Sequence, residues 1–254
     1  MPDNAPGKRQ RLLILGGTAE AADLARTLAD IRPDLDVVTS LAGRVDAIAD
    51  RPGLLRIGGF GGGDGLADYL RVNAVDIVVD ATHPFADTIS AHAADACRAA
   101  GVPRLMLVRP PWRPVAGDTW QSVENAAAAA ERVARTASRV FLAVGPGSLP
   151  AFASVVGVRF LVRLFEPPRT PLALPDATVV IARPPFTLAS ERALMTEHGI
   201  DTLVTKQSGG STDAKLAAAR ALRIPVVMIA RPPKPEGERV ETVGEAIDWL
   251  AARG

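Results

Sequence analysis

The chain has 254 residues, 48% of them hydrophobic and 22% charged, with a formal net charge of +1 and one cysteine. Near-neutral charge argues against a protein devoted to nucleic acid, and no apolar run approaches the ~18 residues that a membrane span needs. Cys97 alone excludes internal disulfides and thiolate metal clusters, and with only three histidines besides it no structural metal is expected.

The opening "MPDNAPGKRQR" has no apolar signal region, so a soluble, cytoplasmic protein is expected. Of 29 basic residues 25 are arginine, which supplies planar forks suited to phosphate or carboxylate. The length allows one large domain or two modest ones.

In chain order, short apolar runs at 11–15, 36–41, 54–57, 76–80 and 104–108 read as strands buried on both faces. Helical spacing of Ala and Leu at 18–30, 43–50, 64–72 and 87–100 alternates with them. The stretch "RPPWRPVAGDTW" (109–120) breaks the rhythm, because its prolines continue neither element, and marks a domain junction. Strands then resume at about 139–145, 160–165, 178–182, 202–206 and 226–230, with helices between and after them, ending in "GEAIDWLAA". Alternating strands and helices predict two Rossmann-like α/β domains, 1–112 and 113–254, with mainly parallel sheets and a cleft between them.

The first strand runs into Gly16-Gly17-Thr18-Ala19-Glu20-Ala21, a degenerate form of G-x-G-x-x-G/A with Thr18 in place of the middle glycine. Such a turn lets backbone amides and a helix N-terminus hold pyrophosphate; it also serves as a plain strand-to-helix connection, and the spacing alone leaves both open. The second strand ends "VVTSLAGR" without a carboxylate. Ser40 and Arg44 fall where an adenosine 2′-phosphate lies, which favours NADPH over NADH, while the alternative is a helix cap and a solvated charge.

"RIGGFGGGDG" (56–65) has six glycines within eight positions, enough for close approach to a cofactor or for a flexible loop. Thr82, His83 and Pro84 follow the fourth strand, where His83 is either a proton donor or a cap. His92 and Cys97 read as packing residues and His198 as a helix C-cap. In the second half, "LVTKQSGGSTDAK" repeats the order of strand, turn and helix, with Lys206 at the strand end and a helix starting near Thr212. It suits either an anionic group or an N-capped helix.

In "LLILGGTAEAADLA", "SLAGR", "GGFGGGDGLADYL", "DATHPFA", "RPPW", "FLAVGPGSLPAF" and "KQSGGSTDAKLAAARALRIPVVMIARP", in order from residue 11 to 233, the chain resembles the precorrin-6A reductase family and its close relative, cobalt-precorrin-6A reductase. The resemblance implies an oxidoreductase of cobalamin biosynthesis that transfers hydride from NADPH to a double bond of the precorrin-6A macrocycle, giving precorrin-6B. It implies Gly16, Gly17 and Thr18 on pyrophosphate, the last with its hydroxyl, and Ser40 and Arg44 on the 2′-phosphate. Gly59, Phe60 and Gly61 would face the adenosine or ribose, with Thr82 and His83 near the nicotinamide.

Lys206, Gln207, Ser208 and Gly209 would face a small-molecule tetrapyrrole, with Arg109 and Arg113 at the junction. His83 or Lys206 would supply the proton, as would an ordered water or a substrate carboxylate. Neither nucleic acid nor membrane is an expected partner. Two competing readings are a tetrapyrrole methyltransferase, for which "FLAVGPGSLPAF" speaks and Ser40 with Arg44 speaks against, and a non-catalytic nucleotide or tetrapyrrole binder.

Overall fold

The computed structural model describes residues 9–41, 52–168 and 170–253. The chain forms two compact units: residues up to Pro110 join Pro232 onward in the first, and Pro111–Arg231 make the second. Among the described residues no helix is long and apolar enough to cross a membrane.

The first unit is built from β1 (Arg11–Leu15), α1 (Ala19–Ile31), β2 (Asp36–Leu41), β3 (Leu54–Ile57), α2 (Gly62–Val72), β4 (Ile77–Asp80), α3 (Asp87–Ala100) and β5 (Arg104–Leu107). The second contains β6 (Trp120–Val123), α4 (Ala126–Thr136), β7 (Arg139–Ala143), a 3-10 turn (Pro146–Phe152), β8 (Arg159–Leu164), β9 (Ala177–Ile181), α5 (Leu188–Glu197), β10 (Thr202–Lys206), α6 (Ala214–Leu222) and β11 (Val226–Ile229). The chain then returns to the first unit with β12 (Glu238–Val240) and α7 (Val243–Ala251).

Each unit carries a six-stranded sheet, ordered β12-β5-β4-β1-β2-β3 in the first and β6-β11-β10-β7-β8-β9 in the second. Every strand pair is parallel. Both sheets have the Rossmann order 3-2-1-4-5-6, and in both the sixth place is exchanged. By chain order β6 would close the first sheet, yet it pairs with β11, while β12 pairs with β5.

The expected second domain, 113–254, therefore differs from the structure at its C-terminal end. The physical reason is that β12 hydrogen-bonds along β5, and that Ala246 and Leu250 of α7 are buried with Leu24 and Leu28 of α1 and Leu105 and Leu107 of β5. The strands β6 and β12 escape a reading of apolar runs because they are four and three residues long and only partly buried. The helix expected between β7 and β8 is a 3-10 turn of seven residues, with Pro150 inside it removing an N–H donor and opposing continuation as an α-helix. Residues 43–50, expected as a helix, lie outside the described residues, Arg44 among them.

Alternation along β1 shows why the first sheet is covered on both faces. Leu12 and Ile14 pack with α1 and α7, while Leu13 and Leu15 pack with Leu66 and Leu70 of α2 and Ala93, Ala96 and Cys97 of α3. In the second unit Phe141, Leu203, Val226 and Met228 pack against Met195 of α5 and Leu216 and Ala219 of α6. Ser40 and Arg56 are register partners on β2 and β3, and Leu15 and Asp80 on β1 and β4, so these four chain positions reach one edge of the sheet together.

Leu250→Ala removes a side chain that is 3% exposed from the α1/α7 face, and a loss of ~2–5 kcal/mol is expected in urea unfolding. Burial pushes the Cys97 thiol up to about 12 from an ordinary value of 9.0. Between those values the folded chain keeps a proton that the unfolded chain has lost, so stability falls as pH rises through the window. Cys97→Ala should flatten that part of the pH dependence of the urea midpoint.

Candidate functional site

The turn after β1 begins with a constraint from packing. Gly16 donates its N–H to the Ser40 carbonyl at 2.9 Å, and a side chain there would start 3.2 Å from Thr39 Cγ2 and Leu41 Cδ2. Its amide is committed to β2, so an anion cradle starts one residue later. Gly17 has φ +112°, in the region that favours glycine, and nothing lies within 4 Å of the place a side chain would occupy. Backbone amides at the start of α1 have no intrahelical carbonyl to bond, and the helix end carries partial positive charge.

Thr18 is the N-cap of α1. Its hydroxyl donates to the Ala81 carbonyl at 2.7 Å and accepts the Ala21 N–H at 3.1 Å. The one hydroxyl proton is thus spent on tying β1's turn to the end of β4, which corrects the expectation that it reaches pyrophosphate. Glu20 in the first turn would repel an anion, but Arg109 meets it at 2.9 Å with both side chains mostly covered. Arg109 offsets that charge within the first unit and is not a free junction arginine.

Ser40 is buried at the end of β2, and its hydroxyl accepts a long bond from Arg56 at 3.4 Å. Arg56 organises the glycine-rich loop: it donates to the Gly58 carbonyl at 2.6 Å and the Gly59 carbonyl at 2.8 Å, and its guanidinium lies 3.7 Å from the Phe60 ring centroid. Phe60 packs edge-on to Tyr69, so its ring serves the loop's own packing. At Gly59 and Gly61 a side chain would meet nothing within 4 Å, whereas at Gly65 it would start 1.8 Å from the Phe60 carbonyl oxygen. Part of the glycine richness is close packing, and part is open surface.

At the end of β4, Thr82 turns inward. Its hydroxyl donates to Asp80 Oδ1 at 2.6 Å, and its N–H donates to the same oxygen at 3.2 Å. Thr82 Oγ1 and Ser90 Oγ are 3.3 Å apart, and Lys234 Nζ donates to Ser90 Oγ at 2.7 Å. Burial lowers the Lys234 ammonium from its ordinary value, against the pull of Asp80 and Asp87, which raises it. His83 Nδ1 accepts the Phe85 N–H at 3.2 Å, which leaves the proton of a neutral ring on Nε2.

In the second unit the turn after β10 is built on backbone bonds. Arg231 donates to the Gln207 carbonyl at 2.7 Å and the Ser208 carbonyl at 3.1 Å. Gln207 is tied to Trp112: its amide accepts the Trp112 N–H at 2.9 Å and donates to the Trp112 carbonyl at 3.0 Å. Trp112 closes the turn with an indole bond to the Gly210 carbonyl at 2.8 Å. Lys206 and Ser208 are half-buried on this turn, Gly209 is buried, and Arg113 is exposed.

The structure thus gathers Gly16, Gly17, Thr18, Ser40 and Thr82 at the strand C-termini of the first sheet, and Lys206, Gln207, Ser208 and Gly209 in one turn of the second unit. Sequence reasoning missed Arg56 and Lys234. An arginine in register with Ser40 at the end of a four-residue strand, and a lysine set among prolines, were the available signals. Among the described residues no three His, Cys, Asp or Glu side chains gather as metal ligands.

Residues 11–251 match the family model described as "Precorrin-6x reductase CbiJ/CobK". The chain is 50% identical to a precorrin-6A reductase of Rhodococcus erythropolis over 242 residues, covering 94% of this chain and 97% of that one. It is 45% identical to a precorrin-6A reductase of Rhodobacter capsulatus over 245 residues, covering 96% and 97%. A solved structure described as CobK precorrin-6A reductase superposes with a TM-score of 0.89 at 44% identity, covering 96% of this chain and 97% of its own.

With φ +112° at Gly17, Gly17→Ala should cost ~1–3 kcal/mol through backbone strain alone. Thermal unfolding of the variant without any ligand checks this.

Proposed function

The chain belongs to the precorrin-6x reductase family, and on that premise we propose that its reductant is NADPH, held by the first unit, while the second unit holds the macrocycle. The enzyme is an oxidoreductase acting on a CH–CH bond, in the precorrin-6A reduction step of cobalamin biosynthesis. The single observation that carries the cofactor assignment is the open space over Gly17 at the start of α1, where a side chain would meet nothing within 4 Å. A pyrophosphate fits such a place, because the amides at the helix start are unpaired within the helix and the dipole favours negative charge.

The choice of NADPH over NADH rests on the end of β2. A dinucleotide site for NADH presents a carboxylate there to bond the ribose 2′-hydroxyl. Here the strand ends with Ser40 and Leu41, neither of them a carboxylate, and Arg56 stands in register beside Ser40. Ser40, Arg44 and Arg56 together would recognise the 2′-phosphate, and Gly59 and Gly61 would lie along the adenosine side. When bound, NADPH supplies the hydride.

The protein's own contribution is to bind, orient and protonate. Glu20, at the mouth of the anion site, has its charge offset by Arg109. Lys206 and Ser208, on a turn fixed by Arg231 and Trp112, would bond carboxylate side chains of the macrocycle, with the exposed Arg113 as a further cation. Gln207, whose amide is bonded at each end to Trp112, would offer the substrate its second N–H.

NADPH is expected to bind far more tightly than NADH, and Arg44→Ala to weaken NADPH by about 10- to 100-fold while leaving NADH unchanged, as the loss of a charge-assisted phosphate contact of ~1.5–3 kcal/mol implies. Calorimetric titration of both nucleotides decides it. Equal affinities in the wild type would remove the NADPH assignment, and an unchanged preference in the variant would remove Arg44 from the site.

A further inference from the structure

Lys234 lies in "RPPKPEGERV" (231–240), the stretch that returns the chain to the first unit, and prolines at 232, 233 and 235 stiffen the backbone around it. Its ammonium heads a hydrogen-bonded chain running into the protein, with two short links and a longer one between them: Nζ to Ser90 Oγ at 2.7 Å, Ser90 to Thr82 at 3.3 Å, and Thr82 to Asp80 Oδ1 at 2.6 Å. Ser90, Asp80 and Thr82 are 0%, 2% and 7% exposed.

Donor and acceptor chemistry gives the chain one direction. An ionised carboxylate only accepts, so the Thr82 proton points to Asp80; the Ser90 proton must then point to Thr82, and the Ser90 lone pair is free for the ammonium. The other oxygen of Asp80 is buried without a hydrogen-bond partner. A fold that stabilises itself with hydrogen bonds alone does not need an anion there, because burying a charge costs several kcal/mol before any partner compensates it. The chain ends at the C-terminus of β4, beside β1, where the strand order reverses and where ligands of such sheets bind.

We propose that Lys234 is the proton donor of the reduction, and that Ser90, Thr82 and Asp80 are positioning residues that hold its ammonium at the C-terminal edge of β4. This rests on the reading in which NADPH provides the hydride. Hydride adds to one atom of the reduced double bond of the macrocycle, and the electron pair of that bond takes a proton from Lys234 Nζ. The N–H bond breaks and its pair stays on nitrogen. The macrocycle gains two electrons and two hydrogens, the nicotinamide loses two electrons, and solvent reprotonates the half-buried amine.

The charged groups acting on Lys234 are Asp80 of β4 and Asp87 of α3, which favour the ammonium, and Arg104 of β5 and Arg239 of β12, which oppose it. Burial outweighs them and lowers its ordinary value of 10.5, which makes it a stronger acid near neutrality. With Lys234 as acid, the rate is lost as pH rises through that lowered value. Removing the Asp80 charge lowers it further and moves the alkaline limb to lower pH.

The test compares the wild type with Lys234→Met, Lys234→Arg, Ser90→Ala and Asp80→Asn. NADPH affinity is measured by fluorescence, NADPH oxidation by precorrin-6A in single turnover between about pH 6 and 10, and the side-chain titration of the four lysines by 15N NMR. Lys234→Met should bind NADPH like the wild type and lose about 10²- to 10⁴-fold in rate, the range of general-acid catalysis, together with the alkaline limb. Lys234→Arg should fold and bind NADPH yet stay slow, because a guanidinium keeps its proton.

Asp80→Asn should shift both the limb and the lysine resonance that is missing in Lys234→Met to lower pH, and Ser90→Ala should shift the limb even where Lys234→Met fails to fold. Wild-type rates in Lys234→Met, or full rescue by arginine, would overturn the proposal in favour of a structural or anchoring cation. Failure of the wild type to bind NADPH would instead overturn the cofactor reading, and this one with it.

Discussion

The parallel pairing of β1 with both β2 and β4 is the constraint on which the first unit depends. A strand hydrogen-bonded on both edges and covered on both faces must be apolar along its length, as "RLLIL" is after its first residue. Because the strands are parallel, their C-termini share one edge, and polar groups that follow them are delivered there together. Gly17, Ser40, Arg56, Asp80 and Thr82 are neighbours for this reason and not through closeness in sequence. Thr18 reinforces the edge: its hydroxyl caps α1 and bonds a carbonyl 63 residues away.

The exchange of the sixth strands follows from the same rule of parallel pairing. After β5 the chain enters "RPPWRPVAG", where prolines remove amide donors and prevent an immediate helix. It pairs next with β11, and the vacant place beside β5 is filled from the far end of the chain. Glu238 then binds α7 back onto β12, accepting the Trp249 indole N–H at 2.8 Å and the Arg253 guanidinium at 2.9 Å. Each sheet is thus complete only when chain segments distant in sequence have arrived, and local unfolding of either end exposes the edge of β5 or β11.

The two units treat buried charge differently. In the second, Arg163 pairs directly with Glu191, both almost fully covered, and the guanidinium lies 3.9 Å from the Phe186 ring centroid. That pair is direct, although the second Glu191 oxygen, like that of Asp80, is buried without a hydrogen-bond partner. In the first, the buried carboxylate of Asp80 is linked through two hydroxyls to the half-buried Lys234. A chain that opens at one end links a buried carboxylate to a cation that solvent reaches.

Much of this was legible in the residues themselves. Strand periods, helix spacing and the glycine turns placed nearly every long element, and the quoted motifs pointed to the family. His198 was readable as a helix C-cap, and Cys97 as a core residue, because both depend on local pattern. The short edge strands β6 and β12 were not, since three or four half-exposed residues carry no periodic signal. Nor were the partners of Thr82 and Gln207, whose side chains look in sequence like free polar groups near a ligand, or those of Lys234, which drew no notice among its prolines.

The sequence by itself determined the alternation of elements, the positions of the glycine turns and the absence of a carboxylate at the end of β2, because these depend on residues within a few positions of one another. Only the tertiary structure decided which sheet takes the last strand and which polar side chains are already bonded inward. Those outcomes depend on contacts between residues as far apart as the 144 positions separating Ser90 from Lys234, and no local propensity encodes which distant donor will meet which acceptor.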